Sequence, residues 1–281
     1  MKFVRFGPAG REKVGCIDAR GELRDLSSAV ADLNLPTLGQ SGLRKLARLK
    51  PEDFPKVKGR PRLGVPFTGI SKLVGIGLNY RDHAIEAGMA IPAEPIVFMK
   101  ATSCISGPQD PVLRPAGSAK LDWEVELGVV IGKTARSVSL EKALDHVAGY
   151  CVVNDVSERS FQLERGGTWD KGKGCDSFGP IGPWLVTRDE VPDPQSLALW
   201  LDVNGEQRQR GNTATMIFGV AEIVSYLSRF MTLLPGDVIC TGTPPGVGAG
   251  MKPEPKFLQD GDVMTLGIAG LGEQRLKVQP T

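Results

Sequence analysis

Apolar residues fall mostly in short solid runs or with a period of two, the spacing of β-strands rather than of helices. Solid runs predict buried strands at 72–77, 96–100, 121–131 and 149–155. Shorter runs predict further strands at 2–6, 13–18, 23–26, 197–206, 238–241, 263–268 and 274–278. The Asn204-Gly205 pair marks a hairpin turn. A helical period is long only at 215–231, where Ile217, Val220, Ala221, Val224, Leu227 and Met231 form one core stripe. Shorter helices are expected at 42–49, 140–147 and 156–162. Four glycines within 166–175 predict an irregular loop that presents Lys171 and Lys173.

Pro51, Pro55, Pro61 and Pro66 exclude a continuous helix or central strand from 50–71, which reads as a connector. The expected organisation is a small N-terminal domain with its linker (1–70) and a main domain (71–281). With 34 basic against 32 acidic residues, a dedicated nucleic-acid binder with a basic stripe is disfavoured. The start has no apolar leader core, and no run approaches ~20 apolar residues, so no membrane partner is expected. The cysteines at 16, 104, 151, 175 and 240 form no C-x-x-C pair and read as free thiols of a cytoplasmic protein.

Chemistry enters with Glu124 and Glu126. On one strand they share a face, with Cα atoms roughly 6.6 Å apart. Two readings stand: solvated acids on an exposed edge, or ligands of a divalent metal. Asp155 ends a second apolar strand and offers a third hard oxygen donor, a set suited to Mg²⁺ or Mn²⁺ rather than zinc.

The chain has two histidines. His146 is accounted for by the end of a helix. His83 follows a glycine-containing strand and has Glu86 three residues on, either an exposed ion pair or a general base held by a carboxylate. Lys171 and Lys173 clamp an anion or sit solvated on a loop. The glycine-rich segment 241–248 lacks the lysine of a P-loop, but its amides and the Thr243 hydroxyl suit a carboxylate.

In order, Gly77-x-Asn79-Tyr80-x-x-His83, Trp123-Glu124-x-Glu126-Leu127, Asn154-Asp155 and Thr241-Gly242-Thr243-Pro244 resemble the fumarylacetoacetate hydrolase family from about Lys72 to the C-terminus. The resemblance implies a strand-rich α+β fold, a mixed β-sandwich or roll with a small N-terminal α/β domain, in a homodimer. It assigns metal binding to Glu124, Glu126 and Asp155. His83 and Glu86 become a catalytic pair on a lid, and Lys173 a catalytic lysine, with Lys171 as its competitor. Arg159, Gln162 and Thr243 become substrate-binding residues.

Segments 96–103, 169–180 and 242–248 are most similar to bacterial enzymes that hydrolyse 2,4-diketo-3-deoxy-L-rhamnonate to pyruvate and L-lactate. Other pyruvyl chemistry within the family stays open: acylpyruvate hydrolysis, oxaloacetate decarboxylation or ureidoglycolate cleavage. So does a binding protein that keeps the fold alone.

Overall fold

The computed structural model describes residues 1–86 and 88–281. It is strand-rich α+β. The first strands are β1 (Lys2–Phe6), β2 (Lys13–Ile17), β3 (Leu23–Asp25), β4 (Leu73–Gly77), β5 (Ile96–Lys100), β6 (Ile105–Ser106), β7 (Val112–Arg114), β8 (Leu121–Asp122) and β9 (Val125–Ile131). There follow β10 (Val147–Asn154), β11 (Ser157–Glu158), β12 (Gly179–Thr187), β13 (Ala198–Val203), β14 (Glu206–Asn212), β15 (Val238–Cys240), β16 (Val263–Ile268) and β17 (Gly272–Pro280). The helices are α1 (Leu35–Leu38), α2 (Gln40–Leu46), α3 (Arg81–Glu86), α4 (Arg159–Leu163), α5 (Asp170–Lys173) and α6 (Val220–Phe230).

A mixed sheet runs β3-β2-β1-β12-β10-β9-β15-β4-β5, with β6 paired to β12. Its central strands β9 and β10 are buried at every residue, which is why they read as solid apolar runs rather than alternating ones. A second sheet, β14-β13-β16-β17-β7, packs on it. The two sheets are tied by Gln274, fully buried on β17, whose Nε2 donates to the Val152 carbonyl of β10 at 2.8 Å. The N-terminal strands join the main sheet through β1 and β12, with Phe3 opposite Leu185.

Several elements depart from the sequence reading. The helix expected at 215–231 begins only at Val220, because the backbone just before it is committed elsewhere. Ile217 N donates to the Asn79 carbonyl, and Phe218 N and O both bond the buried Asn79 side chain. The run at 121–131 is two strands, since the Glu124 amide donates to the Asn154 side chain (3.1 Å) and leaves the ladder. The helix expected from 156 begins at Arg159, because Ser157 and Glu158 pair with β8. The segment at 140–147 is a 3₁₀ turn over Leu140–His146, and α2 ends at Leu46 rather than 49.

The loop read as irregular at 166–175 contains the helical turn α5. Gly172 makes it possible: a Cβ there would lie 2.5 Å from the Glu158 carbonyl and the Gln162 amide, so α5 packs directly on the start of α4. The Asn204-Gly205 hairpin forms as expected, with both residues at positive φ.

Candidate active site

One end of the main sheet gathers the start of β9 and the ends of β4, β10 and β15. Gly75 and Gly77 of β4 leave space that aromatic rings fill. A Cβ at Gly75 would lie 2.1 Å from the Phe98 ring, and one at Gly77 2.4 Å from Trp169. These two rings, 5.5 Å apart, wall a cavity of about 300 Å³ that is also lined by Leu78, Met89, Leu163 and Val247. At its base, oxygens of Glu124, Glu126 and Asp155 all lie within 4.8 Å of one another, and all three residues are buried.

Such acids require compensating charge. Lys173 Nζ sits between two of them, 2.7 Å from Glu124 Oε2 and 2.8 Å from Asp155 Oδ2. Lys100 Nζ, fully buried, donates to the other Asp155 oxygen. Arg159 Nη2 lies 2.6 Å from Glu124 Oε1, and its Nε donates to Asp122 at 2.8 Å. Burial alone would push the Glu124 carboxyl up, but Lys173 and Arg159 outweigh it and hold the pKa at about 2.

Glu126 has less help. Its oxygen accepts from the Gly242 amide at 2.8 Å, while burial, and then the charges of Asp155 and Glu124, push its carboxyl well above the usual range. With Asp122 counted, four buried carboxylates face three cations. A divalent cation with Glu126 ionised would leave one positive charge in excess, a balance suited to a carboxylate ligand. The donors are three hard oxygens with no thiol or imidazole among them, and they fit Mg²⁺ or Mn²⁺.

A raised acid costs the metal-free fold stability as pH rises. Between its unfolded and folded values the unfolded chain has lost the proton that the folded chain still holds. Metal-free Glu126→Gln is therefore expected to melt above wild type at alkaline pH. With its carboxyl raised in this way, a Glu126 that ligates Mn²⁺ is expected to release a proton on binding, and affinity to weaken as pH falls. Calorimetry in buffers of different ionisation enthalpy reads that proton release, and its absence would count against a protonated Glu126.

His83 and Glu86 lie on α3 at the cavity mouth. His83 Nδ1 is 3.1 Å from Glu86 Oε2, and the Glu86 carboxylate also accepts from the Gly246 amide at 2.9 and 3.2 Å. That pairing turns Nε2 into the ring nitrogen available for proton exchange. Lys171 points away, donating to the Arg165 carbonyl at 2.8 Å from an exposed position, whereas Lys173 is buried among the acids. Gln162 accepts from Arg159 at 3.1 Å and keeps its NH₂ as a donor. Thr243 donates its hydroxyl hydrogen to the Val125 carbonyl (2.9 Å), so in this arrangement it has none for a ligand. His146 lies outside the cavity, its Nδ1 3.2 Å from the Lys133 carbonyl.

The sequence reading passed over Lys100 and Asp122. A lysine that closes a solid apolar strand and an acid embedded in an apolar run were the available signals. Trp169 and Phe98 stand in the sequence only as members of segments 169–180 and 96–103, and the fold makes them cavity walls.

The chain matches the family described as fumarylacetoacetate (FAA) hydrolase C-terminal over residues 72–279. A Burkholderia ambifaria protein named "Putative hydrolase" is 62% identical over 274 residues, covering 98% of this chain and 97% of its own. Among solved structures, the fumarylacetoacetate hydrolase of Exiguobacterium antarcticum is 39% identical with a TM-score of 0.86, and both chains are covered in full (100%). The maleylpyruvate hydrolase of Sphingobium sp. SYK-6, solved with manganese(II) and pyruvate, is 29% identical with a TM-score of 0.82, covering 100% of this chain and 99% of that one. A 2-hydroxyhepta-2,4-diene-1,7-dioate isomerase from Mycobacterium marinum is 32% identical with a TM-score of 0.76, covering 100% and 99%.

Proposed function

The chain belongs to the fumarylacetoacetate hydrolase family, and from that premise we propose that it hydrolyses the C3–C4 bond of a 2,4-diketo acid and releases pyruvate. The observation that carries this reading is the meeting, in one cavity, of a three-carboxylate cluster with an imidazole held by its own carboxylate. Glu124, Glu126 and Asp155 hold a divalent cation, Mg²⁺ or Mn²⁺, which supplies Lewis-acid polarisation of keto oxygens and counter-charge for an enolate. The manganese and pyruvate in the Sphingobium structure support the same class of ligand.

The chain's own residues do the rest. His83 Nε2, its ring oriented by Glu86, takes a proton from water as the water oxygen adds to C4. The C3–C4 bond then breaks, its electron pair moves into the enolate of pyruvate, and the proton on Nε2 is returned to C3. Lys173 faces the developing negative charge from a buried position, where a charge acts with little screening. Arg159 and Gln162 orient the acid end, and Thr243 shapes the wall beside it.

The substrate read from segments 96–103, 169–180 and 242–248 is 2,4-diketo-3-deoxy-L-rhamnonate, cleaved to pyruvate and L-lactate in sugar-acid breakdown. The apolar Leu78, Met89, Leu163 and Val247 suit its short methyl-bearing end. The reading includes a homodimer in the cytoplasm, with a small N-terminal domain at 1–70 and the catalytic domain at 71–281. Among the described residues no helix is long and apolar enough to cross a membrane.

The test is a substrate panel scored by pyruvate release, with the protein metal-stripped and then reloaded. Turnover of a 2,4-diketo acid is expected to vanish on chelation and to return with Mg²⁺ or Mn²⁺. Activity that survives exhaustive chelation would overturn the metal assignment. Turnover confined to oxaloacetate, ureidoglycolate or an isomerase substrate would overturn the hydrolytic one.

A further inference from the structure

Asp122 has no place in the chemistry above, yet it is fully buried at the centre of the site's scaffold. Its Oδ1 accepts from the Gly248 amide at 2.6 Å and the Trp123 amide at 2.8 Å. Its Oδ2 accepts from the Ala249 amide at 3.0 Å and from Arg159 Nε at 2.8 Å. The four donors satisfy the buried carboxylate, as burial requires, and they belong to two separate parts of the site.

On one side, Arg159 carries the connection to Glu124 Oε1 (2.6 Å) in the carboxylate cluster. On the other, Gly248 and Ala249 lie on the loop whose Gly246 amide holds Glu86, and Glu86 holds His83. Trp123, next to Asp122, grips the same loop, its indole nitrogen donating to the Gly246 carbonyl at 3.0 Å. Glycines permit the close approach: a Cβ at Gly248 would lie 2.7 Å from Asp122 Oδ1, and one at Gly250 2.7 Å from the Glu86 carboxyl carbon.

We propose that Asp122 is a positioning residue that fixes the His83–Glu86 pair relative to the carboxylate cluster, through Arg159 on one side and the 246–250 loop on the other. The inference rests on the functional reading above for its catalytic consequence, but not for its mechanical one. An asparagine at 122 keeps the volume, yet it replaces an acceptor oxygen by an NH₂ that cannot receive an amide hydrogen. Whichever oxygen is replaced, the loop loses one of its two amide bonds, from Gly248 or from Ala249, and replacement of Oδ2 releases Arg159 as well.

Hydrogen exchange on the intact, substrate-free protein reads the mechanical claim. In Asp122→Asn the amides of 246–250 are expected to exchange faster, and the segment 81–86 to loosen with them although none of the Asp122 hydrogen bonds reaches it. Faster exchange at 246–250 with 81–86 unchanged would overturn the connection.

Kinetics read the catalytic claim. Misplacement of about 1 Å costs on the order of 100-fold in rate, so kcat of Asp122→Asn is expected to fall about that far. In a His83→Ala background the same substitution should then cost little, because the group it positions is gone. A full further loss there would assign Asp122 a merely structural role. If His83→Ala itself turned over at the wild-type rate, the base assignment would fail, while the exchange result would still decide the connection. Should Asp122→Asn not fold, Arg159→Lys opens the other side of Asp122. Looser exchange is again expected at 81–86, and unchanged exchange there would overturn the proposal.

Discussion

His83→Ala is expected to lower kcat by about 10²–10⁴-fold, the contribution of a positioned general base, with Mn²⁺ affinity unchanged. The separation follows from geometry. The imidazole belongs to α3, and its hydrogen-bonding partner is Glu86, not any of the three clustered acids. Removing it leaves Lys100, Lys173 and Arg159 against their carboxylates, so the charge balance at the base of the cavity stays as it was.

Glu86→Gln should lose less than His83→Ala, since an amide oxygen can still accept from Nδ1 while the carboxylate that stabilises an imidazolium is gone. The check is steady-state turnover beside Mn²⁺ titration by calorimetry. Wild-type kcat in His83→Ala would remove the proposed base. Loss of metal binding in the same variant would move His83 into the ligand set. Asp155→Asn provides the opposite pattern, with metal affinity and turnover falling together.

How much of this was legible in the sequence depended on whether a residue's role is local. The central strands were legible because burial on both faces leaves nearly continuous apolar runs, and β9 and β10 are of that kind apart from Glu126 and Asn154 near the site. The carboxylate cluster was legible because acids at the ends of such strands are costly without a partner. The exact start of α6 was not, since it is set by Asn79, a residue 138 positions away from Ile217 that takes the backbone groups a helix would otherwise use. Neither was α5: glycines read as flexibility, yet Gly172 serves close packing against α4. Glu124 and Glu126 were expected to converge by strand alternation. They do converge, but Glu124 stands outside the strand, held by Asn154. The spacing gave the right neighbours for a reason that the backbone does not follow.

The choice between Lys171 and Lys173 shows the same limit, because one helical turn points two lysines of a glycine-rich segment in opposite directions. Sequence spacing alone cannot assign a direction without the turn. The fold does, by burying Lys173 between Glu124 and Asp155 and leaving Lys171 on the Arg165 carbonyl.

Lys173→Met is the second large effect, and it separates a counter-charge from a catalyst. In the metal-free protein the ammonium neutralises two carboxylates at 2.7 and 2.8 Å, and side chains of all three residues are almost entirely buried. Deleting one partner of a buried ion pair leaves uncompensated charge, which typically costs ~3–5 kcal/mol. Metal-free Lys173→Met is therefore expected to melt well below wild type. Saturating Mn²⁺ should recover most of the loss, because a divalent cation restores positive charge beside the same oxygens. Turnover should not recover. A buried donor aimed at developing negative charge is worth about 10²–10³-fold in kcat, and methionine offers none. Thermal melts with and without Mn²⁺, set beside kcat of the loaded variant, read the two roles independently. A loaded Lys173→Met that turned over like wild type would reduce Lys173 to a stand-in for the metal's charge. A variant that Mn²⁺ failed to stabilise would instead make the lysine part of what holds the cluster in shape.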